Sequence, residues 1–76
     1  MEESINAYMP GLVARVVVKE GDPVRKGQEV VVINCMKNEI SVASHVDGIV
    51  KKILVKEWDE VEVDAPMIIL EINEGQ

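Results

Sequence analysis

Val31-Val32-Ile33-Asn34-Cys35-Met36-Lys37-Asn38-Glu39-Ile40-Ser41-Val42 reads as two strands folded back about a two-residue turn. With Met36-Lys37 as the loop, Cys35 faces Asn38, Ile33 faces Ile40, and Val31 faces Val42. Those pairs share one face of the pleat, so this register gathers the apolar side chains on one side. A slip of one residue would turn them to the other face. Two-residue loops favour type I′ or II′ turns, usually built from Asn-Gly or Gly-X. Met-Lys is a poor choice, because positive φ costs about 1–2 kcal/mol for a residue with a Cβ. A turn sequence that works against the turn is a pointer to function.

The hairpin sits at the junction of two repeats. Sliding the sequence by 37 places aligns Gly11-Leu12-Val13 with Gly48-Ile49-Val50 and Val18-Lys19-Glu20 with Val55-Lys56-Glu57. The same shift aligns Asp22 and Val24 with Asp59 and Val61, and Val31-Val32-Ile33 with Ile68-Ile69-Leu70. No gap is needed between residues 4–33 and 41–70. Strands are expected at 4–7, 12–18, 30–35, 38–43, 48–55 and 67–72, with short bridging strands at Pro23-Val24 and Val61-Glu62. Pro10-Gly11, Gly21-Asp22-Pro23, Lys26-Gly27, Asp47-Gly48 and Ala65-Pro66 punctuate them. The pattern predicts an all-β fold. Two four-stranded antiparallel sheets would form a flattened barrel or sandwich with an internal quasi-two-fold axis. Lys37 ends the first repeat, and its counterpart in the second is Glu74. The two-fold therefore predicts the Lys37 turn and the chain termini at opposite ends.

Seventy-six residues predict one domain, 1–76, with a core spanning about 4–73 and loose ends at the first few residues and at 74–76. Val and Ile dominate the apolar set, with no Phe, one Trp and one Tyr. β-branched side chains suit a pleated surface, and closing the sheets removes exposed edges. The net charge of −6 and the lack of a basic, aromatic-interleaved patch argue against nucleic acid as a partner. One Cys allows no internal disulfide and fits a reducing, cytoplasmic setting. The acidic Met1-Glu2-Glu3-Ser4 does not read as a signal peptide, and the apolar runs are too short to span a bilayer.

Other reactive residues point to less. The carboxylates show no metal-ligand spacing and read as a solvated surface. Cys35 and His45 suggest a nucleophile and base, but strand geometry separates them by roughly 20 Å. Cys35 is then expected as a small buried or edge residue and His45 as a loop residue. Trp58 is expected to pack beside the second turn; left exposed, it would be a docking anchor.

Cys35-Met36-Lys37-Asn38-Glu39 resembles the Ala/Ser-Met-Lys-Met-Glu attachment motif of biotinyl (biotin carboxyl carrier) domains. These belong to the wider biotinyl/lipoyl family, with its hammerhead fold. Met9-Pro10-Gly11 is similar to the Met-Pro-Gly near the start of those domains. Val18-Lys19-Glu20-Gly21-Asp22-Pro23-Val24 with Lys26-Gly27-Gln28 is similar to their first-repeat turn, and Asp47-Gly48-Ile49-Val50 to the start of their second repeat. The likeness covers about residues 8–72. Asn38 departs from the second motif methionine, Cys35 from the usual Ala or Ser, and Trp58 from a preferred Gly. Nothing resembles the extra thumb loop of some members.

The resemblance implies that Lys37 is the biotin-bearing lysine and Met36 the methionine before it, with Asn38 and Glu39 as further recognition positions. An ordinary lysine amine is protonated and poorly nucleophilic at neutral pH. The implied biotin protein ligase presents a biotinyl adenylate and takes the neutral amine. The modified lysine then carries CO2 as carboxybiotin between a biotin carboxylase and a carboxyltransferase, for instance in fatty acid biosynthesis or pyruvate carboxylation. The chain would be a carrier with no catalytic residue of its own. Two alternatives remain on the sequence: a lipoyl carrier bearing lipoate, whose sites usually read Asp-Lys-Ala, and an unmodified binding or assembly module of the same fold.

Overall fold

Val and Ile on short strands supply one inward face per sheet, and two such faces close on each other, with the central run Val30-Val31-Val32-Ile33 buried throughout. The computed structural model describes residues 1–72. Its strands are β1 (Glu2–Asn6), β2 (Gly11–Val16), β3 (Pro23–Val24), β4 (Glu29–Cys35), β5 (Asn38–Ala43), β6 (Gly48–Ile53), β7 (Glu60–Val61) and β8 (Pro66–Glu71). They form two four-stranded antiparallel sheets, ordered β1-β8-β6-β3 and β5-β4-β2-β7. Glu74, the expected counterpart of Lys37, and the end of the expected core at 73 lie outside the described residues.

The 37-residue shift exchanges the two sheets strand for strand. Each repeat gives two strands to each sheet. The backbone bonds repeat with it: Gly21 N donates to Val50 O at 2.7 Å, and Trp58 N to Val13 O at 2.7 Å. Gly27 N reaches Ser44 O at 2.8 Å, and Asp64 N reaches Ala7 O at 2.7 Å. Even the irregularities are paired, with bulges between Val13 and Arg15 and between Val50 and Lys52. A bulge adds one residue and turns those beyond it to the other face.

The core lies between the sheets. Val13, Ile33, Val50, Ile68 and Leu70 are all but inaccessible to solvent. Gly11 admits the close approach of β2 to β4: a Cβ there would lie 2.6 Å from Ile33 Cγ2 and 2.8 Å from the Asn34 carbonyl. The assembly is elongated, 42 × 19 × 19 Å.

Several strand limits differ from expectation. The first strand begins at Glu2, not residue 4, because Glu2 and Glu3 pair with Glu71 and Leu70 of β8. The residues expected to hang loose are thus part of a sheet. β2 and β6 stop at Val16 and Ile53 although the apolar run continues. There Val17 N turns to Val30 O at 3.0 Å and Leu54 N to Met67 O at 2.8 Å, outside the regular ladders. β7 lies at Glu60–Val61, one residue before its expected place.

Candidate functional site

The β4–β5 hairpin has the register its side chains demand. Cys35 pairs with Asn38, Ile33 with Ile40, and Val31 with Val42. Two residues are left over for the loop, Met36 with φ 52° and Lys37 with φ 71°. Positive φ at both central residues is the signature of a type I′ turn. Its twist matches that of the flanking strands, so the ladder enforces a backbone that neither side chain favours. The register of the buried β4 residues outweighs the cost of the turn. Lys37 is therefore held at the hairpin tip by core residues some distance away.

Around the tip the side chains are open. Met36 is 89% exposed, and Lys37, Asn38 and Glu39 are exposed too. Among the described residues, Lys37 pairs with no carboxylate. Among the described residues, Glu39 is the one motif side chain in an ion pair, since Arg15 of β2 reaches it at 3.3 Å across β4. Both side chains are about half exposed, so this pair adds little stability. It orients Glu39 alongside the turn. Tyr8, in the β1–β2 loop, donates its hydroxyl to the Ser41 carbonyl at 2.5 Å and so covers part of the outer edge of β5.

Arg15 and Tyr8 were not foreseen as neighbours of the motif. Simple alternation sends Arg15 inward with Val13; the bulge between them turns it outward instead. Tyr8 carried no signal beyond its place before Met9-Pro10-Gly11.

The remaining residues separate as their spacing suggests. Cys35 is a half-buried free thiol at the end of β4. His45 lies in a loop and meets Glu3, Nε2 to Oε1 at 3.2 Å. Trp58 differs from the expected packing. It is 68% exposed with φ 74°, because its amide is committed to Val13 O and the turn directs the indole to water.

Comparison with known proteins agrees with the fold. Residues 3–70 match the family described as biotin-requiring enzyme. The Kluyveromyces lactis urea carboxylase superposes with a TM-score of 0.87 at 31% identity, over 93% of this chain and 6% of its own. A single-chain, multi-domain long-chain acyl-CoA carboxylase also gives 0.87, at 23% identity, over 96% of this chain and 7% of its own. It supports the fold. The large subunit of 2-oxoglutarate carboxylase from Hydrogenobacter thermophilus is 58% identical over 33 residues, which are 43% of this chain and 5% of that subunit. The chain belongs to the biotin/lipoyl attachment family. It spans only a small fraction of the length of these relatives.

Proposed function

We propose that Lys37 is the covalent attachment point for biotin, and that the chain carries a carboxyl group between a biotin carboxylase and a carboxyltransferase. One observation carries this reading: an exposed lysine, without an ion pair among the described residues, held at the tip of a type I′ turn. That amine fits biotin's acyl group, since a ligase can approach it on a protruding tip.

In the modification step a biotin protein ligase supplies the activated acyl adenylate. The Lys37 amine loses a proton and attacks the acyl carbon. The amide bond forms, the acyl–phosphate bond breaks, and AMP leaves with its electron pair. The ammonium charge is lost with the amide. Bound biotin supplies a ureido nitrogen on which a carboxyl group can ride.

The protein's own part is mechanical. The β4–β5 ladder fixes the root of the arm, while the lysine stem leaves its far end free. Tethering raises the local concentration of the carried group at both active sites. Met36 offers an adaptable apolar contact to the enzymes that handle the arm. Asn38 and the Arg15-oriented Glu39 flank it as polar recognition points. No catalytic residue is assigned to this chain; the chemistry belongs to its partners, in a cytoplasmic setting. The three relatives are named for urea, long-chain acyl-CoA and 2-oxoglutarate, so the acceptor is set by the transferase, not by the carrier.

Avidin blotting of the protein from its native host tests the reading. Biotin is expected, on Lys37 alone by mass spectrometry, and Lys37→Arg is expected to remove it. Lipoate on Lys37, or labelling of Lys19 or Lys56 in Lys37→Arg, overturns the assignment.

A further inference from the structure

The internal two-fold makes one repeat a control for the other. Gly21 and Trp58 occupy the same place in the two repeats. Their φ angles are 92° and 74°. Each amide donates at 2.7 Å to the equivalent carbonyl, of Val50 or Val13. Each turn is closed alike, Lys19 N to Asp22 Oδ2 and Lys56 N to Asp59 Oδ2, both at 2.9 Å. The backbone thus asks for glycine at both positions. One has it. The other carries the only tryptophan of the chain, 68% exposed. An indole mostly in water gains little from burial, so folding does not account for Trp58.

The asymmetry continues along the turn. Residues 57–64 hold Glu57, Asp59, Glu60, Glu62 and Asp64, with no Lys or Arg. In residues 20–27, Glu20 and Asp22 are balanced by Arg25 and Lys26. Val63, 56% exposed, stands where the other repeat has Lys26. Among the described residues, none of those five carboxylates is paired with a cation. β7 also ends its sheet, so among the described residues no strand of that sheet flanks its outer side.

We propose that the 57–64 edge, anchored by Trp58, is a second docking surface, and that its occupant is a Lys/Arg-rich face of the enzyme the carrier serves. Charge complementarity chooses the partner. Unpaired carboxylates attract a basic face, and an exposed indole is the best aromatic seat for a guanidinium or ammonium. Trp and Arg are the residues that most often anchor interfaces. β7 is the sheet edge opposite β5, and the register sets Glu60 level with Leu12, Asn34 and Glu39, towards the same end as the Lys37 turn. An enzyme seated on that edge holds the body beside the Lys37 arm. The identity of the enzyme rests on the carrier reading; the presence of the surface does not.

The test uses the whole chain with fluorotryptophan at its single Trp. It is titrated separately with the biotin carboxylase and carboxyltransferase components of its host, at low and high salt. Fluorine NMR is expected to show the Trp58 resonance shift with at least one component, and less at high salt. Trp58→Gly, which carries no fluorine probe and is titrated beside wild type by calorimetry, is expected to weaken that binding about tenfold or more. Glu60→Gln with Glu62→Gln is expected to flatten the salt dependence. An unmoved resonance, or unchanged affinity in Trp58→Gly for both components, overturns the proposal. So does a sedimentation shift with concentration that Trp58→Gly removes, which would assign the surface to a second copy. Biotin labelling is scored in parallel. An unlabelled wild type sinks the carrier reading, whereas a labelled Trp58→Gly that binds like wild type sinks only the docking surface.

Discussion

Ile33 and Ile40 face each other across the β4–β5 hairpin, each three residues from the turn pair Met36-Lys37. Ile33 is completely buried, while Ile40 on the edge strand is only partly so. Truncation should separate them. Ile33→Ala is expected to cost about 2–5 kcal/mol, the range for truncating a buried isoleucine. Ile40→Ala should cost clearly less. Urea midpoints at constant m-value measure both. Equal losses would show that the edge strand packs as deeply as its neighbour.

Gly11 should not tolerate a methyl group. An added Cβ has no room beside Ile33 Cγ2 and the Asn34 carbonyl, at 2.6 and 2.8 Å. Gly11→Ala is expected to lose about 1–3 kcal/mol, as overpacking does. Its two-fold mate Gly48, where a Cβ would meet the Glu71 carbonyl at 2.9 Å, should respond in the same direction. Thermal unfolding of both variants checks this, and a neutral Gly11→Ala would mean that β2 and β4 can part cheaply.

Trp58→Gly should make the chain more stable. Relief of positive φ returns about 1–2 kcal/mol, and the freer unfolded chain takes back about 0.4–1. A net gain between about 0 and 1.6 kcal/mol is expected, read as a higher urea midpoint. Destabilisation would mean that the indole packs more in solution than its exposure implies.

Asn38→Met, which restores the motif methionine, should change stability by less than about 1 kcal/mol, because exposed positions seldom do more. Labelling at Lys37 should survive. An amide buried without partners costs about 1–3 kcal/mol, so a docking step should feel the change. Carboxyl transfer with a non-native carboxylase is expected to alter more than with the native one. Identical rates for both variants with both enzymes would leave position 38 without a role in recognition.

Stability should decline at both pH extremes through one cluster on β1, β6 and β8. The hydrogen bond and charge of the Met1 ammonium, with Lys51 nearby, hold the Glu71 carboxyl below its ordinary 4.5. A lowered carboxyl stabilises the fold above 4.5, and that help is lost as pH falls through the lowered value. Lys51 is held above 10.5, first by its hydrogen bond to Glu2. Its help is complete below 10.5 and lost as pH rises through the raised value. Melting curves of Glu71→Gln should therefore be flatter in acid, and those of Lys51→Met flatter in alkali. Both groups are exposed, so salt should shrink both differences.

The hairpin was legible because Ile40 and Val42 alternate with polar residues after the turn, and only one register sets them opposite Ile33 and Val31 of the apolar β4 run. The two-fold was legible because no insertion disturbs the 37-residue shift. Applied consistently, that shift carries Pro23-Val24 onto Glu60-Val61 and would have placed β7 correctly. The bulge before Arg15 was not legible, since nothing in Val13-Ala14-Arg15 distinguishes a bulge from regular pleating. The Arg15–Glu39 pair was hidden with it. Glu2 and Glu3 looked loose because charged residues suit a free end as well as a sheet edge. Only the pairing partner in β8 decides between them. The exposure of Trp58 depended on a backbone conformation that a bulky residue rarely adopts.

Because β1 pairs with β8, the first strand of the fold waits for the last. During synthesis, β2, β4 and β5 can meet as soon as they leave the ribosome, but the sheet that covers them stays incomplete until Glu71 has emerged. Long-range pairing of this kind makes folding slow. Half of the chain would be a sheet without a lid. A ligase that reads the folded shape would thus meet its lysine only on a finished carrier, so attachment of the arm would double as a check that the body beneath it has closed.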